Sequence, residues 1–288
     1  LAAYAKELVE SGVTLVGACC GSTPAHIRAI ADAVRGMKVG KPAPKAARAR
    51  EIGAVQPEPQ YYVEPARWSK FARNVGKKFM TTVELDIPRG LDMTGVLEAA
   101  QFCSERKVDA VNITEGARAR LRMSSIAISV MIQQRVGIEA MTHRATRDHN
   151  LIGLQAELMG AHALGLRNIL CITGDPAGIG DYPHANSVYD VDAVGLIRAL
   201  RSMNQGTDIM GNSIGSPTSF YITAAANPSA DDLDGEIEKT ERKVEAGVNM
   251  LFTQPLFEMK TLELFLKRIQ HLKTSIMLGI IPLRSYKH

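Results

Sequence analysis

No stretch of the chain approaches the roughly 20 consecutive apolar residues that a membrane-spanning helix needs, and no charged, apolar and small-residue series marks a secretory signal. The expectation is a cytoplasmic protein with no membrane partner. Cysteine is scarce: four in 288 residues cannot frame a disulfide-built fold, and two of them, Cys19 and Cys20, are adjacent. Segregated charge is missing too. The formal net charge is +4, but Lys and Arg are dispersed and not interleaved with aromatics along one stripe. Nucleic acid is therefore not an expected partner, whereas an anionic small molecule is compatible. A dinucleotide fingerprint is also lacking. Gly178-Ile179-Gly180 has no further glycine in register, and turn-rich sequence follows where a helix would be needed.

What is present is a hydrophobic content of 45%, enough for a sizeable core. Residues 1–35 read as helix, short strand (VTLVGA) and helix, with Gly12 closing the first helix, Thr23 as N-cap of the second and Pro24 at its first position. One such unit is too small for a core of its own. From about residue 38 the chain turns rich in Pro, Ala and basic residues, which reads as a linker. The expected division is 1–37, a linker over 38–76, and a main domain over 77–288. From Lys77 onward strands near 79–85, 108–114, 138–143, 168–173, 219–225, 249–253 and 275–281 alternate with helices near 94–106, 123–135, 149–164, 192–203, 232–246 and 259–271. Strict alternation implies an α/β fold with a parallel sheet, doubly wound or closed as a (β/α)8 TIM barrel. Seven strands favour a barrel truncated after strand 7. The start on Leu1 and the stop at RSYKH read as a fragment cut at both ends.

The strand ends carry the chemistry. NILCITGDPAG runs from an apolar strand into Asp175, where α/β folds place functional carboxylates, although Gly174-Asp175-Pro176 also fits a plain turn. In FMTTVELDIPRG, period-two alternation sets Val83, Leu85 and Ile87 against the helices and turns Thr82, Glu84 and Asp86 inward. An enclosed Glu84 suits a general acid, or else an internal salt bridge to an arginine. Asn112 and Thr114 end the second strand, where amide and hydroxyl groups can fix the polar edge of a heterocycle or serve only as strand residues. His143 ends the third, as a cofactor contact or a structurally satisfied imidazole.

Taken in order, TVELDIPRG, VDAVNITEGARARLRMSS, RDHNLIGLQAELMGAHALGLRNILCITGDPAG, SVYDVDAVGLIRALRSMN, NPSADDLDGEIEKTERKVEAGVNMLFTQPLF and LGIIPL resemble the flavin-dependent methylenetetrahydrofolate reductases across residues 77–288. GACCGSTPAHIRAI is similar to the last strand and helix of homocysteine S-methyltransferase domains, so the whole resembles the bifunctional enzymes that pair the two. The resemblance implies a remnant of a second TIM barrel at residues 1–37, and non-covalent FAD at the C-terminal mouth of the main barrel. It also implies NADH or NADPH as reductant, and reduction of 5,10-methylenetetrahydrofolate to 5-methyltetrahydrofolate in one-carbon and methionine metabolism.

Residue by residue, the resemblance makes Glu84 the general acid, Asp175 a carboxylate beside flavin and folate, and Gln254 a pterin contact. It assigns Thr114, His143, Gly174, Asp175, Tyr189, Asn227, Glu236 and Lys243 to the flavin, and Tyr286 with Gln254 to the substrate. Asn227 and Glu236 stand where the simpler reductases have His and Asp, and Tyr286 stands where Phe is frequent. Charge complementarity alone adds Arg118 and Arg120 for the diphosphate. Cys19 and Cys20 correspond to two of three zinc thiolates, an incomplete site, so zinc and methyltransferase activity are expected only in the full-length protein. The alternatives are a non-catalytic fragment or part of a zinc-dependent methyltransferase, and a homo-oligomer is compatible with either.

Overall fold

The computed structural model describes residues 2–10, 12–13, 16–17, 22–38 and 68–282, in two compact units, 1–58 and 59–288. The first unit contains α1 (Ala2–Glu10) and α2 (Pro24–Val34). Gly12, at φ 93°, ends α1 as expected, returning its N–H to the Val9 carbonyl at 3.0 Å. At the start of α2 the Thr23 N–H donates to His26 Nδ1 at 3.1 Å, and Pro24 occupies the first helical position. Half of the strand expected between these helices lies outside the described residues, as do Cys19, Cys20 and Tyr286.

In the second unit, seven parallel strands pair strictly in chain order: β1 (Thr82–Leu85), β2 (Ala110–Ile113), β3 (Glu139–Ala145), β4 (Asn168–Ile172), β5 (Tyr221–Ala226), β6 (Met250–Pro255) and β7 (Ser275–Gly279). A doubly wound sheet would reverse its order at a switch point, so sequential pairing selects the barrel reading. Between the strands run α4 (Thr94–Glu105), α5 (Ser125–Arg135), α6 (Leu151–Ala163), α7 (Ala193–Asn204), α8 (Leu233–Ala246) and α9 (Met259–Ile269). The sheet curls into an open barrel in which, among the described residues, β1 and β7 each pair on one side only.

Alternation along each strand sorts the core into two layers. Outward residues Ile169, Cys171, Ile222, Ala224 and Leu251 pack on Leu196, Ile197 and Leu200 of α7 and on Ile237 and Phe265 of α8 and α9. Val111, Ile113 and Ala140 do the same against α4 and α5. Inward residues Ala110, Met141, Leu170, Tyr221, Met250 and Phe252 fill the barrel floor. Burying each large apolar side chain contributes about 1.5–3 kcal/mol, so the helix layer and the floor hold the strands rigidly enough to present their C-terminal ends. No helix among the described residues is long and apolar enough to cross a membrane.

Two features depart from the sequence expectations. The stretch read as linker contains α3 (Lys70–Asn74). The Glu139 carboxylate accepts the Lys70 and Phe71 N–H groups at 2.7 Å each, and fully buried Phe71 plugs the floor. The second departure is on β1. Leu85 and Ile87 are buried as expected, but Val83 is 39% exposed and Glu84 is exposed, because among the described residues β1 pairs on one side only.

Candidate functional site at the barrel mouth

Four loops that cross the C-terminal mouth are fixed where they enter their helices. The side chains of Ser124, Asn150, Asp192 and Asp232 accept the N–H groups of Ala127, Gly153, Gly195 and Gly235 at 3.4, 2.8, 2.9 and 3.0 Å. Each such cap contributes about 1 kcal/mol and sets the angle at which its loop leaves the strand.

Inside this rim the structure gathers most of the expected residues. Glu84 stands opposite Asn112 in the β1–β2 register, with Thr114 just beyond β2. His143 follows Met141 along the inward face of β3, Gly174 and Asp175 follow β4, Asn227 follows β5, and Gln254 lies on β6. Although Glu84 keeps one side open to solvent, the protein packed on its other side partly desolvates the carboxyl and raises its pKa, and the like charge of Asp86 adds to the shift. Glu84 has no ion pair among the described residues, so the internal salt bridge that competed with the acid reading is not formed. His143 is 9% exposed, its Nε2 has no hydrogen-bond partner, and burial pushes its pKa down to about 4, so the ring is neutral. Asn112 is buried too. Its Nδ2 makes a long contact of 3.4 Å to Thr82 Oγ1, and its Oδ1 has no partner. Buried polar atoms without partners are uncommon, and a polar ligand is one way to satisfy them.

Asp175 is exposed, and its Oδ2 accepts the Arg118 backbone N–H at 3.1 Å. Arg118 thus meets the site through its main chain and not through the guanidinium that charge complementarity had singled out. Arg120 pairs with Asp181 at 3.7 Å and lines a cavity of about 370 Å3 together with Arg122, Arg144 and Arg147. Tyr189 reaches back from the β4–α7 loop, its hydroxyl donating to the Gly174 carbonyl at 3.2 Å.

Beside the rim, Lys243 projects from α8 and donates to the Ala225 carbonyl at 2.6 Å; burial lowers its pKa. With Lys239, Arg242, Thr173 and Asp192 it lines a second cavity of about 300 Å3 between β4, β5, α7 and α8. Glu236, buried on α8, accepts the Asn227 N–H at 2.9 Å. Two residues escaped the sequence reading. Arg144 is buried between Glu115 and Glu157, and Arg147 joins two of the rim loops. Each is one arginine among many until the loops are brought together.

Seven parallel strands with six intervening helices, curled toward a barrel with polar and ionisable side chains at the C-terminal strand ends, define a TIM-barrel enzyme scaffold. The methylenetetrahydrofolate reductase family model matches residues 70–288, and the chain belongs to that family. The homocysteine S-methyltransferase model matches residues 1–34. The 5,10-methylenetetrahydrofolate reductase of Salmonella typhimurium is 26% identical over 208 residues, which cover 69% of this chain and 63% of that protein. Methylenetetrahydrofolate reductase 1 of Schizosaccharomyces pombe is 24% identical over 182 residues, 61% of this chain and 28% of that one. The chain therefore spans less than two thirds of the length of these relatives. Among solved structures, an uncharacterized Clostridium thermocellum protein that binds two copies of 5-methyl-5,6,7,8-tetrahydrofolic acid shares the fold. Its TM-score is 0.53 at 14% identity, over 76% of this chain and 72% of that one.

Proposed function

We propose that residues 70–288 form the reductase part of an enzyme that converts 5,10-methylenetetrahydrofolate to 5-methyltetrahydrofolate with FAD and NADH or NADPH. The observation that carries this reading is Glu84: a carboxyl of raised pKa without an ion pair, on the same rim as Asp175 and Gln254. Bound at the mouth, FAD would supply the relay that takes hydride from the pyridine nucleotide to the folate one-carbon bridge. The residues present fit such a cofactor. Lys239, Arg242 and Lys243 around one cavity suit a diphosphate, and the unpartnered His143 Nε2 suits the polar edge of a ring. Thr114, Gly174, Tyr189, Asn227 and Glu236 complete that contact set.

The protein's own part is proton and charge management. Glu84, whose raised pKa favours the protonated form, donates to the folate nitrogen that leaves when the bridge opens. Asp175 stabilises the positive charge that develops on the folate. Gln254 hydrogen-bonds the pterin, with Tyr286 beside it. Cys19 and Cys20 would hold zinc only together with a third thiolate, so the methyltransferase reading belongs to a longer protein. Changing Glu84→Gln tests the assignment: flavin reduction by the pyridine nucleotide should persist within about 3-fold while folate reduction falls by at least about 100-fold. Equal loss of both half-reactions removes Glu84 from the acid role.

A further inference from the structure

We infer that Arg147 is the positioning residue for Asp175, a latch at the end of β3 that joins the loop after β2 to the loop after β4. The inference rests on the reading of Asp175 given above. Arg147 is 4% exposed, and its polar contacts run in three directions. Nη1 donates to the Asp175 carbonyl at 3.1 Å and to the Gly116 carbonyl at 3.4 Å. Nε and Nη2 donate to the Asp148 carboxylate at 2.7 and 2.6 Å. Its own carbonyl accepts the Val188 N–H at 2.8 Å, from the far end of the loop after β4. One residue thus holds the β2–α5 loop and both ends of the β4–α7 loop.

Both loops are shaped to fit this guanidinium. A Cβ on Gly116 would lie 2.6 Å from Arg147 Nη2, and one on Gly174 would lie 3.2 Å from Ala145 Cβ and 3.3 Å from Arg147 Cβ. Gly116, Arg118 and Ala119 have φ of 47°, 57° and 51°, a left-handed run that non-glycine residues resist. That run delivers the Arg118 N–H to Asp175 Oδ2. Relaxing it would withdraw the donor.

The contacts also divide the electrostatic work. Asp148 takes the Arg147 charge, while Asp175 meets Arg147 only through its main-chain carbonyl. The Asp175 carboxylate is therefore fixed in direction without being neutralised by an ion pair. Lysine, a single point donor, cannot span two carbonyls and a carboxylate together.

The test is residue-resolved amide exchange on the full chain, comparing wild type, Arg147→Lys, Gly116→Ala and Asp175→Asn. The reporters are the Arg118 N–H, held by Asp175, and the Val188 N–H, held by a main-chain carbonyl that every variant keeps. Arg147→Lys and Gly116→Ala should each speed exchange at both reporters on the order of 10-fold, with β5 and α8 unchanged. Asp175→Asn should speed Arg118 alone. Unchanged exchange at Val188 in both latch variants overturns the inference; should Arg147→Lys unfold the chain, Gly116→Ala decides by the same reporter. A rate cycle separates this inference from the function it rests on. Arg147→Lys should slow folate reduction on the order of 10-fold with Asp175 present and less than about 2-fold in the Asp175→Asn background. Equal slowing in both backgrounds overturns the positioning role. If Asp175→Asn itself leaves folate reduction unchanged, the proposed role of Asp175 fails, while the exchange result still decides the latch.

Discussion

The buried imidazole of His143 should make the protein acid-sensitive in a way that one substitution removes. Its pKa in the folded chain is about 4, against 6.5 for a free histidine, because burial disfavours the charged ring. The unfolded chain therefore binds a proton that the native chain refuses. For a histidine of depressed pKa, stability is full above about pH 6.5 and is lost as pH falls toward 4. Integrating proton binding between those two values, the His143 share of the loss from pH 7 to pH 4.5 is about 2 kcal/mol. Urea unfolding followed by far-ultraviolet dichroism at pH 7.0, 5.5 and 4.5 reads this loss directly. The same series on His143→Gln should show a decline smaller by about 2 kcal/mol, about half of the gap opening between pH 7.0 and 5.5 and the rest by pH 4.5. Every other titrating group is common to both chains and cancels in the difference. Parallel declines in the two chains would refute the reasoning, since His143 would then titrate alike folded and unfolded.

Other outcomes follow from the helix layer and the rim. Arg144 is 3% exposed between Glu115 and the half-open Glu157; Glu115 also accepts the Ala145 N–H. Removing Glu115 as Ala should cost about 3–5 kcal/mol in a urea melt, and Glu157→Ala no more than about 1 kcal/mol; equal costs would contradict the assignment of depth. Leu200, fully buried between α7 and the outer face of the sheet, should cost about 2–5 kcal/mol as Ala by the same melt. Glu84 gives a prediction of opposite sign. A raised carboxyl pKa means that ionisation opposes folding, a contribution absent below the unfolded pKa near 4.5 and growing as pH rises through the folded value. Glu84→Gln should therefore raise the melting temperature at pH 7 and lose that advantage at pH 4. A variant less stable at both pH values would contradict it.

How much of this was legible in the sequence depended on how local the cause was. Strands such as Asn168–Ile172 are buried on both faces and read as apolar runs, and helices such as Ala193–Asn204 carry a clear apolar stripe. Both kinds of element were placed to within a few residues. The five-residue α3 offers no period to read, because its stability comes from Glu139 and the barrel floor. The exposure of Val83 and Glu84 reflects the one-sided pairing of β1 among the described residues, a property of the sheet and not of the residues. At the rim, Asp175 and Glu84 stood out as carboxylates at strand ends. Arg118 drew attention for its charge but acts through its N–H, which only the left-handed turn brings into place. Arg147 was invisible for a related reason: Gly116 and Asp175 lie 31 and 28 positions from it in the chain.

The most direct measurement of the central claim is anaerobic. The chain is loaded with FAD, bleached with NADH or NADPH, and mixed with 5,10-methylenetetrahydrofolate while the visible flavin absorbance is followed. The account predicts that absorbance returns with one 5-methyltetrahydrofolate formed per flavin. A chain that takes up no flavin, or whose flavin stays bleached in the presence of the folate, contradicts it.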